Sequence, residues 1–339
     1  MTDGTPLPNP PPQGGRGIGP NPPPQGRRGF GRVWVGIGLG AAIVLVAVLG
    51  KALPPYYVGL LTQVLILAIF AMSMDILLGY AGLPSLGHAA MFGAGAYGTA
   101  LVALKLSSNV WAHLGAGLAA AVVVSLVVGV LALRASGPYF LMITLALAQL
   151  MWALAFSWRA LTGGDDGLPG VPRPELGLLP PDWGASTNFF YLALLVFAIS
   201  AGAMYLLVQS PFGYALRGIR ESQSRMEALG YNVWLYRYLA FVFAGLFAGV
   251  AGTLFVYYHG FVSPDVLGLQ QSGNALLMVI LGGAGTLWGG LLGAAILVLL
   301  INLVSSYTVH WQLILGAVYI LIAFGFRSWL TDRVRLMLR

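Results

Sequence analysis

The sequence contains no cysteine, and this absence excludes disulfide bonds and metal sites built from thiolates. Its 4 histidines are scattered along the chain and form no pair at the spacing of metal ligands. Catalytic patterns are missing as well: the chain has no His-Glu-x-x-His motif, no Ser-His-Asp arrangement and no Gly-x-x-x-x-Gly-Lys-Ser/Thr phosphate loop. We therefore expect no metal site, no catalytic residue and no cofactor bound by this chain itself.

Charge is scarce too. Charged residues make up 8% of the 339 residues, against about 25% in a soluble domain, whereas hydrophobic residues make up 58%. Mean hydropathy is +0.83, and the apolar residues come in runs long enough to cross a bilayer. The composition predicts an all-α membrane protein. The formal net charge of +7 would indicate nucleic-acid binding in a soluble protein, but here we attribute it to basic cytoplasmic loops and expect no nucleic-acid partner.

Apolar segments along the chain predict about ten transmembrane helices. Two of the segments are short and could be broken or half-inserted. The predicted spans are 33–50, 57–79, 89–104 (short), 111–133, 138–158, 188–208, 235–256, 275–284 (short), 288–307 and 311–326.

The basic residues indicate the orientation of these spans. When the spans alternate from a cytoplasmic N-terminus, most of the 17 Lys and Arg residues fall inside the cell, as the positive-inside rule requires. Both termini are therefore predicted to be cytoplasmic. The basic residues left outside are Lys51, Lys105, Arg159 and Arg173.

Regions outside the spans differ in composition. Residues 1–32 are rich in Pro, Gly and Gln and repeat the pattern Pro-Asn-Pro-Pro-Pro-Gln-Gly, so we predict a disordered cytoplasmic tail. The transmembrane domain is predicted at 33–326, followed by a basic cytoplasmic tail at 327–339. Within the domain, the extracytoplasmic loop 159–187 is acidic and the cytoplasmic loop 209–234 is basic.

Two glycine-rich stretches, 78–88 and 281–290, interrupt the apolar segments, and both contain Leu-Gly-x-Ala-Gly. Glycine frees the backbone to unwind, and Pro84 in the first stretch forbids a continuous helix. Two interpretations remain open. The stretches line a transport pathway, as interrupted helices do in transporters, or they are tight turns between hairpin helices. The residues assigned to a pathway are Asp75, Gly79, Tyr80, Gly82, Ser85, Gly87, His88, Gly282, Gly283 and Gly285.

Two polar residues near the first stretch each have two interpretations. Asp75 is a carboxylate within an apolar segment, which is functional by default, or it is hydrated or hydrogen-bonded to the broken segment. His88 lines a cavity, or it caps or packs against the helix that opens at Ala89.

The cytoplasmic loop contains a predicted amphipathic helix at 214–229, ended by Gly230 as a helix-terminating glycine. Such a helix docks into a groove of a partner protein, or it lies on anionic lipid because it is basic. Its apolar side is formed by Leu216, Ile219, Met226 and Leu229.

Four stretches resemble the branched-chain amino acid permease family of ATP-binding-cassette (ABC) importers, and more narrowly its LivM-type subunit. The resemblance extends over about 57–325, and Asp75 departs from it because the family often has Asn there. The stretches are Gly79-Tyr80-Ala81-Gly82 with Ser85-Leu86-Gly87-His88-Ala89; Thr162-Gly163-Gly164-Asp165-Asp166-Gly167; Arg217-Gly218-Ile219-Arg220-Glu221 with Glu227-Ala228-Leu229-Gly230; and Leu277-Met278-Val279-Ile280-Leu281-Gly282-Gly283.

The resemblance implies a permease without catalysis of its own, multi-pass in the bacterial cytoplasmic membrane. It implies a second permease subunit (LivH-type), two ATPase subunits that bind ATP and Mg, and an extracytoplasmic substrate-binding protein. By the same resemblance the ATPase would contact Arg217, Arg220, Glu221, Glu227, Ala228 and Gly230. The binding protein would contact Gly163, Gly164, Asp165, Asp166 and Gly167.

Other functions stay open at the level of sequence. A related ABC permease for urea, amides or sugars would have much the same pattern. A secondary transporter driven by an ion gradient would need ionisable groups within the membrane, and Asp75 is the one carboxylate that qualifies.

Overall fold

The computed structural model describes residues 53–174 and 186–307, together with Leu313, Gly316 and Ala317. The predicted tails, the predicted span 33–50 and most of the predicted span 311–326 lie outside the described residues. Every predicted span between residues 57 and 307 corresponds to a helix. Apart from a single helical turn at Arg159–Thr162, the helices in chain order are α1 (Pro55–Asp75), α2 (His88–Lys105), α3 (Val110–Ala132), α4 (Pro138–Ser157), α5 (Ser186–Gln209), α6 (Pro211–Glu221), α7 (Gln223–Ala228), α8 (Val233–His259), α9 (Leu269–Gly282) and α10 (Gly289–Tyr307).

Within the described part of the chain, 6 helices are long and apolar enough to cross a membrane. α2 and α9 are not among them, and they correspond to the two segments that were predicted to be short. α9 has 14 residues, and at about 1.5 Å per residue it is shorter than the roughly 30 Å of a bilayer core. The six candidate spans are Pro55–Ala81, Val110–Ala132, Pro138–Ser157, Asn188–Gln209, Val233–His259 and Gly289–Tyr307.

The core of the bundle is α1, which continues into a π-helical turn at Ile76–Ala81. Its residues from Val64 onward are buried almost without exception, because the helix is apolar on all sides and other helices surround it. Other helices of the bundle approach each other closely where small residues meet. A methyl group added at Gly95 of α2 would lie 2.7 Å from the Cα of Gly249 in α8, so glycine permits this contact.

The chain re-enters the bundle after the π-helical turn. Residues 82–87 are not helical, yet Leu83, Ser85 and Gly87 are buried, and the N–H of Leu86 donates to the Thr144 hydroxyl at 3.2 Å. His88 then begins α2 beside the middle of the bundle, where its Nε2 lies 2.8 Å from the Ser73 hydroxyl of α1. Non-helical backbone inside a membrane protein is stable when protein surrounds it. The first glycine-rich stretch therefore interrupts the helical structure inside the bundle.

A second inward segment lies where the sequence indicated none. After α8, residues 261–268 form strand β2 (Phe261–Val262) and a 3₁₀ turn (Pro264–Leu267), and they lead to the start of α9. Val266 and Leu267 are buried, and the N–H of Ala89 donates to the hydroxyl of Ser272 at 3.0 Å. The first turns of α2 and α9 thus meet inside the bundle. The stretch 281–290, in contrast, is a tight turn between α9 and α10.

The fold is not entirely helical. Strand β1 (Leu168–Pro169) pairs with β2 in a two-stranded antiparallel sheet. On the same side of the bundle, the ammonium group of Lys105 donates to the carbonyls of Ala160 and Leu161 at 3.2 Å each. We call this side, defined by β1, β2 and Lys105, the sheet face. It gathers loops that the predicted topology places outside the cell.

Candidate functional site

The carboxylate of Asp75 joins the two glycine-rich stretches. Its Oδ1 accepts the backbone N–H of Gly285 at 2.7 Å, and its Oδ2 accepts that of Leu287 at 2.9 Å. The side chain is 1% exposed. In the turn 283–288 these N–H groups stand outside regular helix, so a charged acceptor satisfies them well. Asp75 is therefore hydrogen-bonded, as one interpretation expected, although its partners belong to the second stretch and not to its own.

The guanidinium group of Arg220 in α6 contacts the π-helical turn that follows Asp75. Its guanidinium donates from Nη1 to the carbonyl of Gly79, within the π-helical turn. A methyl group at Gly79 would collide with the Asp75 carboxylate and with the backbone of Gly285. A methyl group at Gly82 would lie 2.9 Å from Cγ of Arg220. Glycine is required here because three chain segments approach each other closely.

We call Asp75, Gly79, Arg220, Gly285 and Leu287 the Asp75 network. It connects α6 to the π-helical turn through Arg220, and it connects that turn to the start of α10 through Asp75. Hydrogen bonds therefore join α6, the π-helical turn and the turn before α10.

Arg217 strengthens the contact between α6 and the π-helical turn. Its guanidinium carbon lies 4.8 Å from the ring centre of Tyr80 and 5.5 Å from that of Tyr214. A cation over an aromatic face is attracted by about 0.5–1 kcal/mol or more at such distances. The guanidinium groups of Arg217 and Arg220 therefore both contact the π-helical turn, although Arg220 as a whole is exposed.

The predicted helix 214–229 is wrong as a single element. α6 ends at Glu221 and α7 begins at Gln223, because Ser222 adopts an extended conformation with φ of −160°. Leu216 and Ile219 are buried as expected, but Leu229 is 72% exposed and does not continue the apolar side.

The exposed surface of α6 and α7 carries other residues predicted to contact a partner. Glu221, Glu227 and Ala228 are exposed. Gly230 follows α7 with φ of 85°, and the N–H of Tyr231 returns to the carbonyl of Met226 at 3.1 Å, which closes the helix end. This surface, formed by α6, α7 and Gly230, lies at the end of the bundle opposite the sheet face according to the predicted topology.

The remaining residues assigned to a pathway occupy two different places. Ser85, Gly87 and His88 are in the inward segment after the π-helical turn, and the His88 ring packs on Phe70 at 5.2 Å instead of capping a helix. Gly282 and Gly283 belong to the turn before α10, where Gly282 packs against the backbone of Gly289. The Asp75 network does not include these five residues.

The stretch Gly163–Gly167 lies at the sheet face as a compact turn. Gly163, Gly164 and Gly167 all have positive φ, which glycine adopts readily, and the turn leaves the carboxylates of Asp165 and Asp166 exposed. A methyl group at Gly167 would lie 3.1 Å from the ring of Phe261 in β2. The acidic pair is therefore displayed on a turn held against the sheet.

Sequence reasoning missed a polar cavity of about 420 Å³ beside α4 and α9. The signal in the sequence that could have indicated this cavity is Gln149, a lone amide in the middle of the apolar span α4. Among the described residues no cluster of His, Asp or Glu is arranged to hold a metal ion. The cavity is lined by Gln149, Trp152, Asp265, Gly268, Leu269, Gln270, Gln271 and Asn274.

Spanning helices around a buried, interrupted helix, with a polar cavity between helices, are the features of a multi-pass membrane permease. The chain belongs to the family described as "Branched-chain amino acid transport system / permease component", which matches residues 56–323. The resemblance read from the sequence is thereby confirmed.

Individual relatives are consistent with this family. The chain is 30% identical over 286 residues to the high-affinity branched-chain amino acid transport system permease protein LivM of Salmonella typhimurium and to LivM of Escherichia coli, which covers 78% of this chain and 67% of each relative. A shorter similarity, 29% over 157 residues, relates it to the autoinducer 2 import system permease protein LsrC of Klebsiella pneumoniae, with 44% of this chain and 42% of that protein covered. No solved structure matches the chain significantly.

Proposed function

We propose that this chain is the permease subunit of an ATP-driven importer, and that it forms part of the membrane pathway for branched-chain amino acids. Family membership and similarity to LivM over most of the chain support the substrate class. The observation that carries the mechanism is the hydrogen bond from Arg220 to the carbonyl of Gly79.

The partners follow from the type of importer. A LivH-type second permease would complete the pathway. Of the two ATPase subunits, which bind ATP and Mg, one would dock on the surface formed by α6, α7 and Gly230. A substrate-binding protein would dock at the sheet face, where Asp165 and Asp166 are exposed. This arrangement requires both termini and α6 in the cytoplasm of a bacterial cell.

Coupling would run through the Asp75 network. ATP binding draws the two ATPase subunits together and displaces α6, and Arg220 transmits this displacement to the π-helical turn. Asp75 then moves the turn 283–288 with it, so that the π-helical turn and the turn before α10 change position together. Such a coordinated change between two packed states is how transporters expose a site first to one side and then to the other.

A nucleoside or sugar-like substrate is the second candidate. The autoinducer 2 permease LsrC and, over a shorter stretch, the guanosine permease NupQ of Bacillus subtilis are similar to parts of this chain. The NupQ similarity covers 20% of the chain, which makes it a weaker guide than LivM.

Uptake by the complete reconstituted complex tests the proposal. Proteoliposomes containing this chain and its partner subunits should accumulate leucine, isoleucine and valine when ATP and the binding protein are supplied. They should not accumulate urea, guanosine or a sugar. Uptake driven by a proton or sodium gradient without ATP, or transport of guanosine instead of leucine, would contradict it.

The orientation can be tested separately, because the chain has no cysteine and a single introduced cysteine is an unambiguous label. Ser136 between α3 and α4 and Ser108 between α2 and α3 are both exposed. In intact cells a membrane-impermeant maleimide should label Ser108→Cys and not Ser136→Cys. The reverse pattern would overturn the predicted topology.

A further inference from the structure

Two cavities lie next to each other between the sheet face and the interior of the bundle. They share the side chains of Asp265 and Gln271. The larger, of about 420 Å³, is lined mainly by polar groups. The smaller, of about 220 Å³, has a largely aromatic and aliphatic lining: Phe255, Phe261 and Val266, with His259, Ser263, Asp265 and Gln271.

The polar lining is unusual for its location. Gln149 is exposed although it lies within α4, a helix apolar enough to span a membrane. An amide left in hydrocarbon without a hydrogen-bond partner costs several kcal/mol. Gln149 therefore faces water, a partner chain or a solute. Gln270 and Asn274 of α9 line the same cavity, so a set of amides is concentrated there.

The lining of the larger cavity contains groups of opposite polarity. Asp265 provides a carboxylate, and it is exposed. The start of α9, at Gly268 and Leu269, also lines the cavity, and a helix start presents N–H groups and a partial positive charge. A solute that carries both an ammonium and a carboxylate group is complementary to this pair. A neutral sugar or nucleoside would leave the carboxylate of Asp265 without a cation.

We propose that the two cavities bind the transported amino acid itself, which deepens the proposed function and rests on it. Asp265 binds the α-ammonium group. The start of α9 and the amides of Gln149 and Asn274 bind the α-carboxylate. The smaller cavity receives the aliphatic side chain, which packs against Phe255, Phe261 and Val266.

Size and position agree with this assignment. Binding sites for small molecules generally enclose about 300–1,000 Å³, and the larger cavity falls within that range. The site adjoins the inward segment 261–268, and the N–H of Ala89 at the start of α2 bonds to Ser272 in the first turn of α9. The bound solute therefore lies where the two inward segments meet, so a change in their relative position changes the site.

Photo-crosslinking in the reconstituted complex locates the substrate directly. The probe is photo-leucine, a leucine analogue with a diazirine in its side chain, and mass spectrometry identifies the labelled peptides. We expect labelling within residues 255–274, and excess leucine should suppress it. Labelling confined to other helices would overturn the site.

Substitutions distinguish binding from a structural effect. Asp265→Asn keeps the shape but removes the charge, so both labelling and leucine uptake should fall about tenfold or more. Gln149→Leu should also reduce both, whereas Asp265→Glu should retain part of the uptake. The matched control is Asn302→Leu in α10, which removes a span amide that bonds to its own helix at Val298 (2.9 Å) outside both cavities. It should behave as the wild type.

Outcomes separate this inference from the proposed function. Wild-type leucine uptake by Asp265→Asn and Gln149→Leu, in a complex that imports leucine, would overturn the site and leave the importer assignment intact. A wild-type complex that imports another solute and no leucine would overturn both. Gel filtration and ATP hydrolysis check that each variant complex assembles. If Asp265→Asn does not assemble, Gln271→Leu is the alternative test, because Gln271 also lines both cavities.

Discussion

The carboxylate of Asp75 accepts the backbone N–H of Leu287 at 2.9 Å, although the two residues are 212 positions apart in the chain. The same carboxylate holds Gly285, so the end of α1 and the turn before α10 are joined by a pair of charge-assisted hydrogen bonds. A buried carboxylate that loses such partners is costly. The two segments therefore move together or separate with a large change in free energy.

Substitution of Asp75 should give a graded loss. Asp75→Asn keeps one carbonyl oxygen, and its amide group is a donor that cannot accept the second N–H. Asp75→Ala removes both acceptors and leaves two buried donors, at about 1–3 kcal/mol each. Thermal unfolding in detergent should show a larger loss of stability for Asp75→Ala than for Asp75→Asn. Equal stability of both variants and the wild type would show that the hydrogen bonds contribute nothing.

Gly79→Ala should disrupt the network without removing any polar group. The added methyl group collides with the Asp75 carboxylate and with the backbone of Gly285, and these two groups are hydrogen-bonded to each other. Leucine uptake by the complex should be lost while the protein still inserts into the membrane. Gly115→Ala is the control, because an added methyl group there meets no described atom within 4 Å. Alanine favours a helix by about 1 kcal/mol over glycine, so Gly115→Ala should be neutral or slightly stabilising.

The sheet can be tested by a designed disulfide in the cysteine-free chain. Leu168 and Val262 are paired in register, and side chains on paired positions point to the same side. Leu168→Cys with Val262→Cys should therefore form a disulfide under mild oxidation, seen as altered mobility after proteolysis between the two positions. Leu168→Cys with Phe261→Cys should form it far less, because neighbouring residues in a strand point to opposite sides. Similar yields from the two pairs would contradict the register.

Much of the helical framework is predictable from sequence for a physical reason. A helix that crosses lipid must be apolar over its length, so hydropathy alone identifies spans such as Val110–Ala132. The two short segments were also recognisable, and they correspond to α2 and α9.

Other features depend on contacts that no local pattern encodes. Asp75 could be recognised as unusual, but its partners in the turn 283–288 are set by the packing of α1 against α10. The inward segment 261–268 was missed because a short apolar stretch with one proline reads as an ordinary loop. The break at Ser222 was missed because the surrounding residues favour a helix, and the extended backbone at this position is a feature of the folded chain.

The central claim is that Arg220 carries motion from α6 to the π-helical turn and the turn before α10. The number of ATP molecules hydrolysed per leucine imported tests this claim most directly. In proteoliposomes with the complete complex, Arg220→Ala should hydrolyse ATP while importing leucine at least about tenfold more slowly, since the bond to the Gly79 carbonyl is lost. Arg134→Ala, which removes an exposed arginine between α3 and α4, should keep the wild-type ratio. An unchanged ratio for Arg220→Ala would contradict the account.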